Sequence, residues 1–150
     1  MNSPQEPEPQ PAATFVVRGQ YIKDLSFENP NAPRSLMALA KPPQIDVNVD
    51  LKAQKLDEGL YEMTLHLAAR ANVDEGALFL IDLVYAGIFQ LSNVPAEHIE
   101  KIVMIECPFV LFPFARRVIA DTTRDGGFPP LMLDPIDFHS LYAQNKPTIS

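Results

Sequence analysis

The segment LYEMTLHLAARANVDEGALFLIDLVYAGIFQL (60–91) decides the fold. In its first half, apolar residues occupy the odd positions from 61 to 71, and mostly polar residues occupy the even positions. This period of two is typical of a strand with one buried face. The second half is apolar on both faces, and the connection NVDEG (72–76) is short and rich in turn residues. The segment therefore predicts two long antiparallel strands joined by a tight turn.

Two more strands are predicted on the N-terminal side. QIDVNVDLKA (44–53) alternates cleanly and is followed by the short turn LDEG (56–59), so the second, third and fourth strands should form an antiparallel meander. The link 29–43 contains four prolines and is too long for a hairpin, which predicts a crossover between the first and second strands.

The first strand, TFVVRGQYIKDLSFE (14–28), alternates less regularly, and Gly19 predicts a bulge. Simple alternation assigns one face to Phe15, Val17, Tyr21, Leu25 and Phe27. It assigns the other face to Arg18, Gln20, Asp24, Ser26 and Glu28.

Helical signals begin after the fourth strand. Ser92 or Asn93 is the expected cap of a long helix with a kink or break near Pro108, which ends at DGGF (125–128). Asp134 is the expected cap of a short last helix. The predicted class is α+β: a four-stranded antiparallel sheet with the long helix and the short C-terminal helix on one face.

Composition limits the functions. The 150 residues carry a net charge of −7, which argues against bare nucleic acid as a partner and favours a basic protein segment. Residues 1–13 are predicted to be a disordered Pro/Glu-rich tail, 14–145 one domain, and 146–150 a short C-terminal tail. The chain has no signal-peptide pattern and no apolar run that could insert in a membrane, and its single cysteine, Cys107, fits a reducing cytoplasm.

No enzyme is predicted. The sequence contains no Gly-rich phosphate loop, its three histidines are far apart, and no nucleophile and base can be paired. Cys107 is interpreted as a buried structural thiol. No metal site, catalytic residue or cofactor is therefore expected.

The run CPFVLFPFARRV (107–118) is apolar on nearly every side of a helix. One sheet face cannot cover all of it, and each large side chain left in water forgoes about 1.5–3 kcal/mol. The chain therefore either associates with copies of itself or binds something apolar. The opposite sheet face carries an excess of carboxylates, which is typical either of a solvated surface or, beside Leu80 and Val84, of a docking surface.

Four motifs lie in order along about residues 14–142: YIKDLSFENPNAP (21–33), GIFQL (87–91), CPFVLFPFAR (107–116) and FPPLMLDPIDFHSLY (128–142). Together they resemble the SecB protein-export chaperone family. The resemblance implies a homotetramer built as a dimer of dimers, which holds unfolded secretory precursor proteins in apolar grooves without ATP. It also implies delivery to the SecA motor ATPase, whose basic zinc-binding C-terminal tail docks on the acidic sheet face.

The resemblance assigns roles to residues of this chain. The SecA-binding positions match Asp24, Glu28, Leu80 and Asp82, where Asp82 stands in place of the more usual Glu. The positions tied to tetramer assembly match Phe79, Ile81, Leu83 and Tyr85. The candidates for the client groove are Phe27, Leu36, Met37, Phe128, Leu131, Leu133 and Phe138, for each of which plain core packing is the alternative. Many members have a longer acidic C-terminal tail than KPTIS (146–150), so docking is expected through the sheet.

Two other functions stay open at this point. One is a related chaperone dedicated to an antitoxin, which need not keep the four SecA-binding residues. The other is a closed apolar pocket for a small lipid.

Overall fold

The computed structural model describes residues 3–5, 11–37, 41–145 and 147–150. Four strands form one antiparallel sheet: β1 (Thr14–Glu28), β2 (Gln44–Asp57), β3 (Leu60–Val73) and β4 (Gly76–Ser92). Their order is β1-β4-β3-β2. The meander and the crossover from β1 to β2 are thereby confirmed. Within the crossover, Arg34–Leu36 form a single 3₁₀ turn, and residues 38–40 lie outside the described part of the chain.

The face assignment in the middle of β1 was wrong. The pairing of β1 with β4 shifts by one residue at two points, between Val17 and Gly19 and again between Ile22 and Asp24. Each shift is a bulge, and an extra residue turns the following side chains to the other face. The bulge near Gly19 was predicted and the second was not. Between the two bulges, Gln20 therefore lies on the core face and Tyr21 on the opposite face.

The helical layer is continuous from α1 (Ala96–Lys101) through a π-helical turn (Ile102–Glu106) into α2 (Cys107–Asp125). The predicted distortion near Pro108 is this π turn, in which the Cys107 N–H donates to the carbonyl of Ile102, five residues earlier. Pro108 has no N–H to donate to the previous turn, and a wider turn tolerates that loss. Gly127, with φ +95°, follows the end of the helix, as the DGGF motif predicted.

The expected helix caps were displaced by a few residues. Pro95, rather than Ser92 or Asn93, precedes the first residue of α1. The short last helix α3 (Phe138–Asn145) begins after Asp137, whose carboxylate accepts the Ser140 N–H at 3.1 Å. Asp137 therefore caps α3 in place of Asp134, because it stands three residues before the N–H that it receives.

The core lies between the sheet and the helices. The odd positions of β3 and β4 are buried against α2, and a Cβ on Gly87 would lie 2.8 Å from the Leu111 side chain, so glycine lets the helix approach β4 closely. The even positions form the opposite face of the sheet, here called the outer face.

The last residues also join the sheet, where Ile149 forms a parallel bridge with Ala53 of β2. The Ser150 N–H donates to the Ala53 carbonyl at 2.9 Å, and the Lys55 N–H donates to the Ser150 carbonyl at 3.0 Å.

Candidate functional site

The four predicted docking residues all lie on the outer face. Glu28 pairs with Leu80, and Asp24 pairs with Val84, two residues along β4 from Asp82. Cross-strand partners in an antiparallel sheet share a face, so the two bulges of β1 cancel and return Asp24 and Glu28 to this side. Asp24 and Glu28 are exposed, and Leu80 and Asp82 are partly buried.

A shallow cavity of about 320 Å³ lies between these residues. Ser26 and Ala68 have small side chains and leave a depression on the outer face, towards the end of the sheet where β1 ends and β2 begins. Its lining also includes Glu28, Leu80 and Asp82 but not Asp24. Three of the four predicted docking residues thus line one concave surface, and Asp24 lies beside it on β1.

Two charged residues of β2 and β3 join this cavity without having been nominated. Asp46 and Arg70 are cross-strand partners and both line it. Asp46 lies at a polar position of the alternating run 44–53, but its nearness to Leu80 follows only from the strand order β1-β4-β3-β2. The carboxylates of Glu28, Asp46 and Asp82 outnumber the single guanidinium of Arg70, so the cavity favours a cationic partner.

Beside the cavity, His66 of β3 is bonded to Asp82. Its Nε2 lies 2.7 Å from Asp82 Oδ1, and both side chains are close to half exposed. The contact is diagonal, since His66 pairs directly with Val84 and Asp82 with Ala68. His66 occupies an even position of the alternating run 60–73, and only the β3–β4 register shows that Asp82 is its neighbour.

A second cluster on the outer face joins β1 to β3 across β4. The Lys23 ammonium donates to Glu62 at 2.8 Å, and the Tyr21 hydroxyl donates to the other oxygen of the same carboxylate. These two hydrogen bonds lower the pKa of Glu62, with that from Lys23 the larger cause. Burial and the hydrogen bond to Glu62 raise the pKa of Tyr21 to about 12. Lys23 is the residue inserted at the second bulge, so this contact holds the bulge residue on the outer face.

The predicted groove residues divide into buried and accessible ones. Phe128, Leu133 and Phe138 are buried within the chain's own core. Phe27 and Leu131 are partly buried, whereas Leu36 is 48% exposed and Met37 is 69% exposed.

The buried aromatic residues meet at the end of α2. The Phe128 ring centre lies 5.0 Å from that of Phe79 and 6.5 Å from that of Phe27. A Cβ on Gly126 would lie 2.4 Å from the Phe27 ring, and one on Gly127 would lie 2.9 Å from Leu36. The two glycines therefore let Phe27 and Leu36 pack on the end of the helix.

Met132 is a surface residue that the groove prediction left out. Its side chain is 63% exposed between the half-buried Leu131 and the buried Leu133. In this extended segment successive side chains face alternately, so an alternation rule applied to residues 131–133 could have identified it.

The residues matched to tetramer assembly lie inside the subunit. Phe79, Ile81, Leu83 and Tyr85 are all buried in the core formed by β4 and the helices. The Tyr85 hydroxyl donates to Gln20 at 2.9 Å, and burial raises the pKa of this tyrosine. In one copy of the chain these side chains contact their own helix layer rather than open surface.

Large apolar side chains are instead exposed on the helix itself and at the sheet edge. Phe109 is 64% exposed on α2, Phe114 is also exposed, and Ile22 and Leu25 are exposed on the edge strand β1. This is the surplus apolar surface that the run 107–118 predicted.

Cys107 is buried and carries no disulfide. Burial, with a smaller contribution from Glu106, raises the pKa of its thiol well above the usual range. A protonated, buried thiol is a poor nucleophile, in keeping with the structural role expected for it.

Within the described ranges, no three His, Cys, Asp or Glu side chains are grouped closely enough to hold a metal ion.

No helix in the described part of the chain combines the length and the apolar character that crossing a membrane requires.

Comparison with known proteins gives consistent matches. A family model described as "Preprotein translocase subunit SecB" matches residues 8–148. A protein-export protein SecB of Bradyrhizobium sp. (strain BTAi1) is 52% identical over 139 residues, which cover 93% of this chain and 86% of the relative. The protein-export protein SecB of Parvibaculum lavamentivorans is 54% identical over 133 residues, which cover 89% of this chain and 79% of the relative.

Among solved structures, a SecB-like chaperone of Mycobacterium tuberculosis, in complex with a peptide from an antitoxin, superposes with a TM-score of 0.67. It is 16% identical in sequence and covers 81% of this chain and 90% of its own. This likeness supports the α+β fold with its four-stranded sheet and two helices.

Proposed function

The chain belongs to the SecB family, and from this membership we propose that it holds unfolded precursor proteins for export and delivers them to the SecA motor ATPase. The observation that carries the proposal is that the two sides of the molecule expose different kinds of side chain. The helix side leaves large apolar side chains in water, such as Met37 and Phe109, whereas the outer face surrounds Leu80 with carboxylates. One side suits exposed apolar segments of a client, and the other suits a basic partner.

The docking surface for SecA consists of Asp24, Glu28, Leu80 and Asp82. Three of them line the 320 Å³ cavity, which supports a single contact site rather than a dispersed negative charge. A basic, zinc-binding tail would place cations against the carboxylates and an apolar group on Leu80. Salt weakens the attraction between exposed charges such as these, and at 0.1 M ionic strength the screening length is about 10 Å.

The client groove follows the crossover and the segment before α3. Leu36 and Met37 offer the accessible apolar surface, and the partly buried Phe27 and Leu131 border it. Phe128 supports this surface from the core, since its ring centre lies 6.5 Å from that of Phe27. Leu133 and Phe138 are buried, and Phe138 packs against Phe112 of α2. No nucleotide motif occurs in the sequence, so binding and release are proposed to proceed without ATP.

Self-association to a dimer of dimers is proposed through the exposed apolar surface of α2 and β1. Phe109 and Phe114, at 64% and 42% exposure, would be covered by a second copy. Covering their exposed parts is worth about 1–2 kcal/mol for Phe109 and about 0.5–1.5 kcal/mol for Phe114. The buried residues Ile81 and Leu83 would act on assembly by holding α2 in position. The proposed place of action is the cytoplasm.

Light scattering of a reduced, unfolded secretory precursor tests the chaperone function. Addition of an excess of the purified chain, without ATP, should suppress aggregation. Scattering that is unchanged by an excess of the chain would refute the function, and a monomer at micromolar concentration would refute the proposed assembly.

The antitoxin alternative is weaker. The relatives at about 50% identity are named protein-export proteins, whereas the complex with an antitoxin peptide shares only 16% of its sequence with this chain. A basic SecA tail peptide distinguishes the two functions, because an antitoxin chaperone has no need to bind it.

A further inference from the structure

The contact between His66 and Asp82 joins the one histidine of the sheet to a proposed docking carboxylate. The distance of 2.7 Å between Nε2 and Oδ1 requires a proton between the two atoms, which a neutral or a charged imidazole can supply. Ala68, directly opposite Asp82 on β3, is too small to bond to the carboxylate. His66 is therefore the side chain of β3 that orients Asp82.

The surroundings of His66 are mainly acidic. The charged groups that face it from the neighbouring elements are Asp82 on β4, Asp50 and Lys52 on β2, and Asp24 on β1; Glu62 and Arg70 lie four residues away on its own strand. Asp50 pairs directly with His66, and Glu62 is already held by Lys23. The imidazole thus lies between two carboxylates, one on each neighbouring strand, and a proton taken up there changes the charge of the docking surface itself.

The two protonation states of an imidazole act differently on such a carboxylate. A neutral ring donates a hydrogen bond and leaves the negative charge of Asp82 in place. A protonated ring supplies a positive charge to the same oxygen and competes with the cation of a partner. Histidine is the side chain whose ordinary titration falls between about pH 5 and 8.

We infer that His66 is a positioning residue of the docking surface: it orients Asp82 and makes the binding of a basic segment weaker as pH falls. The inference rests on the proposed docking of a basic partner at Asp82. It does not extend to client binding, since the client groove lies on the helix side of the sheet.

Titration calorimetry tests this with a synthetic peptide that contains only Lys, Arg, Gly and Ala and has both ends blocked, so that the probe does not titrate between pH 5.5 and 8. At constant ionic strength, the affinity of the unaltered protein should fall about fivefold from pH 8 to pH 5.5. This corresponds to about 1 kcal/mol at 1.4 kcal/mol per factor of ten, the size expected for one exposed ion pair. The variant His66→Gln retains a donor but has no proton to gain, so its two affinities should agree within about twofold.

The variant His98→Gln is the matched control, because His98 is also exposed but belongs to α1. It should keep the fivefold pH dependence. An equal pH dependence in the unaltered protein and in His66→Gln would overturn the role of His66 while leaving docking intact. Absence of binding of this peptide at every pH, with a SecA tail peptide still bound, would overturn the inference and leave docking intact. Absence of binding of both peptides would overturn docking as well.

Discussion

Replacing Leu36 and Met37 together by serine should weaken client binding while the protein stays folded. The two side chains are the most accessible of the predicted groove residues, at 48% and 69% exposure. Because the covered half of Leu36 packs on Gly127 at the end of α2, we expect Leu36→Ser to lower the free energy of unfolding by about 1 kcal/mol. Most of Met37 is in water, so Met37→Ser should change the free energy of unfolding by less than about 0.5 kcal/mol.

The loss of client affinity can be worked out from the same exposures. Full burial of a large apolar side chain is worth about 1.5–3 kcal/mol. Covering the exposed parts of Leu36 and Met37 therefore contributes about 2–3 kcal/mol in total. Because a client also loses side-chain freedom on binding, we expect the lower value of about 2 kcal/mol, or about a thirtyfold increase in Kd.

The assay is competition for a fluorescently labelled unfolded precursor, with urea unfolding of each variant as the stability measurement. Leu56→Ser is the control, because Leu56 is 45% exposed but lies at the other end of β2, beside the hairpin to β3. The control should bind the precursor normally. A stable double variant that binds the precursor as tightly as the unaltered protein would refute the assignment of the crossover to the groove.

Phe128→Ala should lower the free energy of unfolding by about 3 kcal/mol, measured in urea, because it empties a buried aromatic cluster. Asp24→Lys combined with Asp82→Lys should abolish calorimetric binding of a SecA tail peptide while client protection survives; unchanged affinity would make the acidic face a solubility device. Phe109→Asp should shift the assembly towards smaller species in light scattering, and an unaltered mass would exclude α2 from the interface. The raised pKa of Tyr21 adds to stability below pH 10, and this contribution is lost as pH rises through about 12. Tyr21→Phe should therefore make the midpoint of urea unfolding less dependent on pH across that range, and an equal dependence in both proteins would contradict this.

Much of the sheet was predictable because its pattern is local. The alternation from residue 61 to 71 placed β3 to within two residues of its ends, and the short turns on either side required antiparallel neighbours. Asp24 and Glu28 were placed on the correct face although the reasoning ignored the second bulge, since two insertions restore the phase of the strand. Gln20 and Tyr21, which lie between the bulges, were assigned to the wrong faces for the same reason.

The contacts between distant segments were not predictable in the same way. A histidine in one strand and an aspartate in the next become neighbours only when the register is known, and nothing near His66 indicates it. Likewise, residues 128–133 (FPPLML) are all apolar, so their composition alone could not separate the buried Phe128 from the exposed Met132. Burial depends on which surface α2 and the crossover cover, and that is a property of the assembled chain.

Because β1 contains two bulges, the number of inserted residues, even or odd, decides which side chains each face of the sheet carries. With an even number of inserted residues, the strand returns its carboxylates to the outer face and Leu25 and Phe27 to the core side. With an odd number, the backbone ladder could still form, yet Asp24 and Glu28 would point into the apolar layer and Leu25 and Phe27 into water. Insertions and deletions in β1 are thus tolerable in twos but not singly, so the length of this strand can drift in evolution only by steps that preserve its phase.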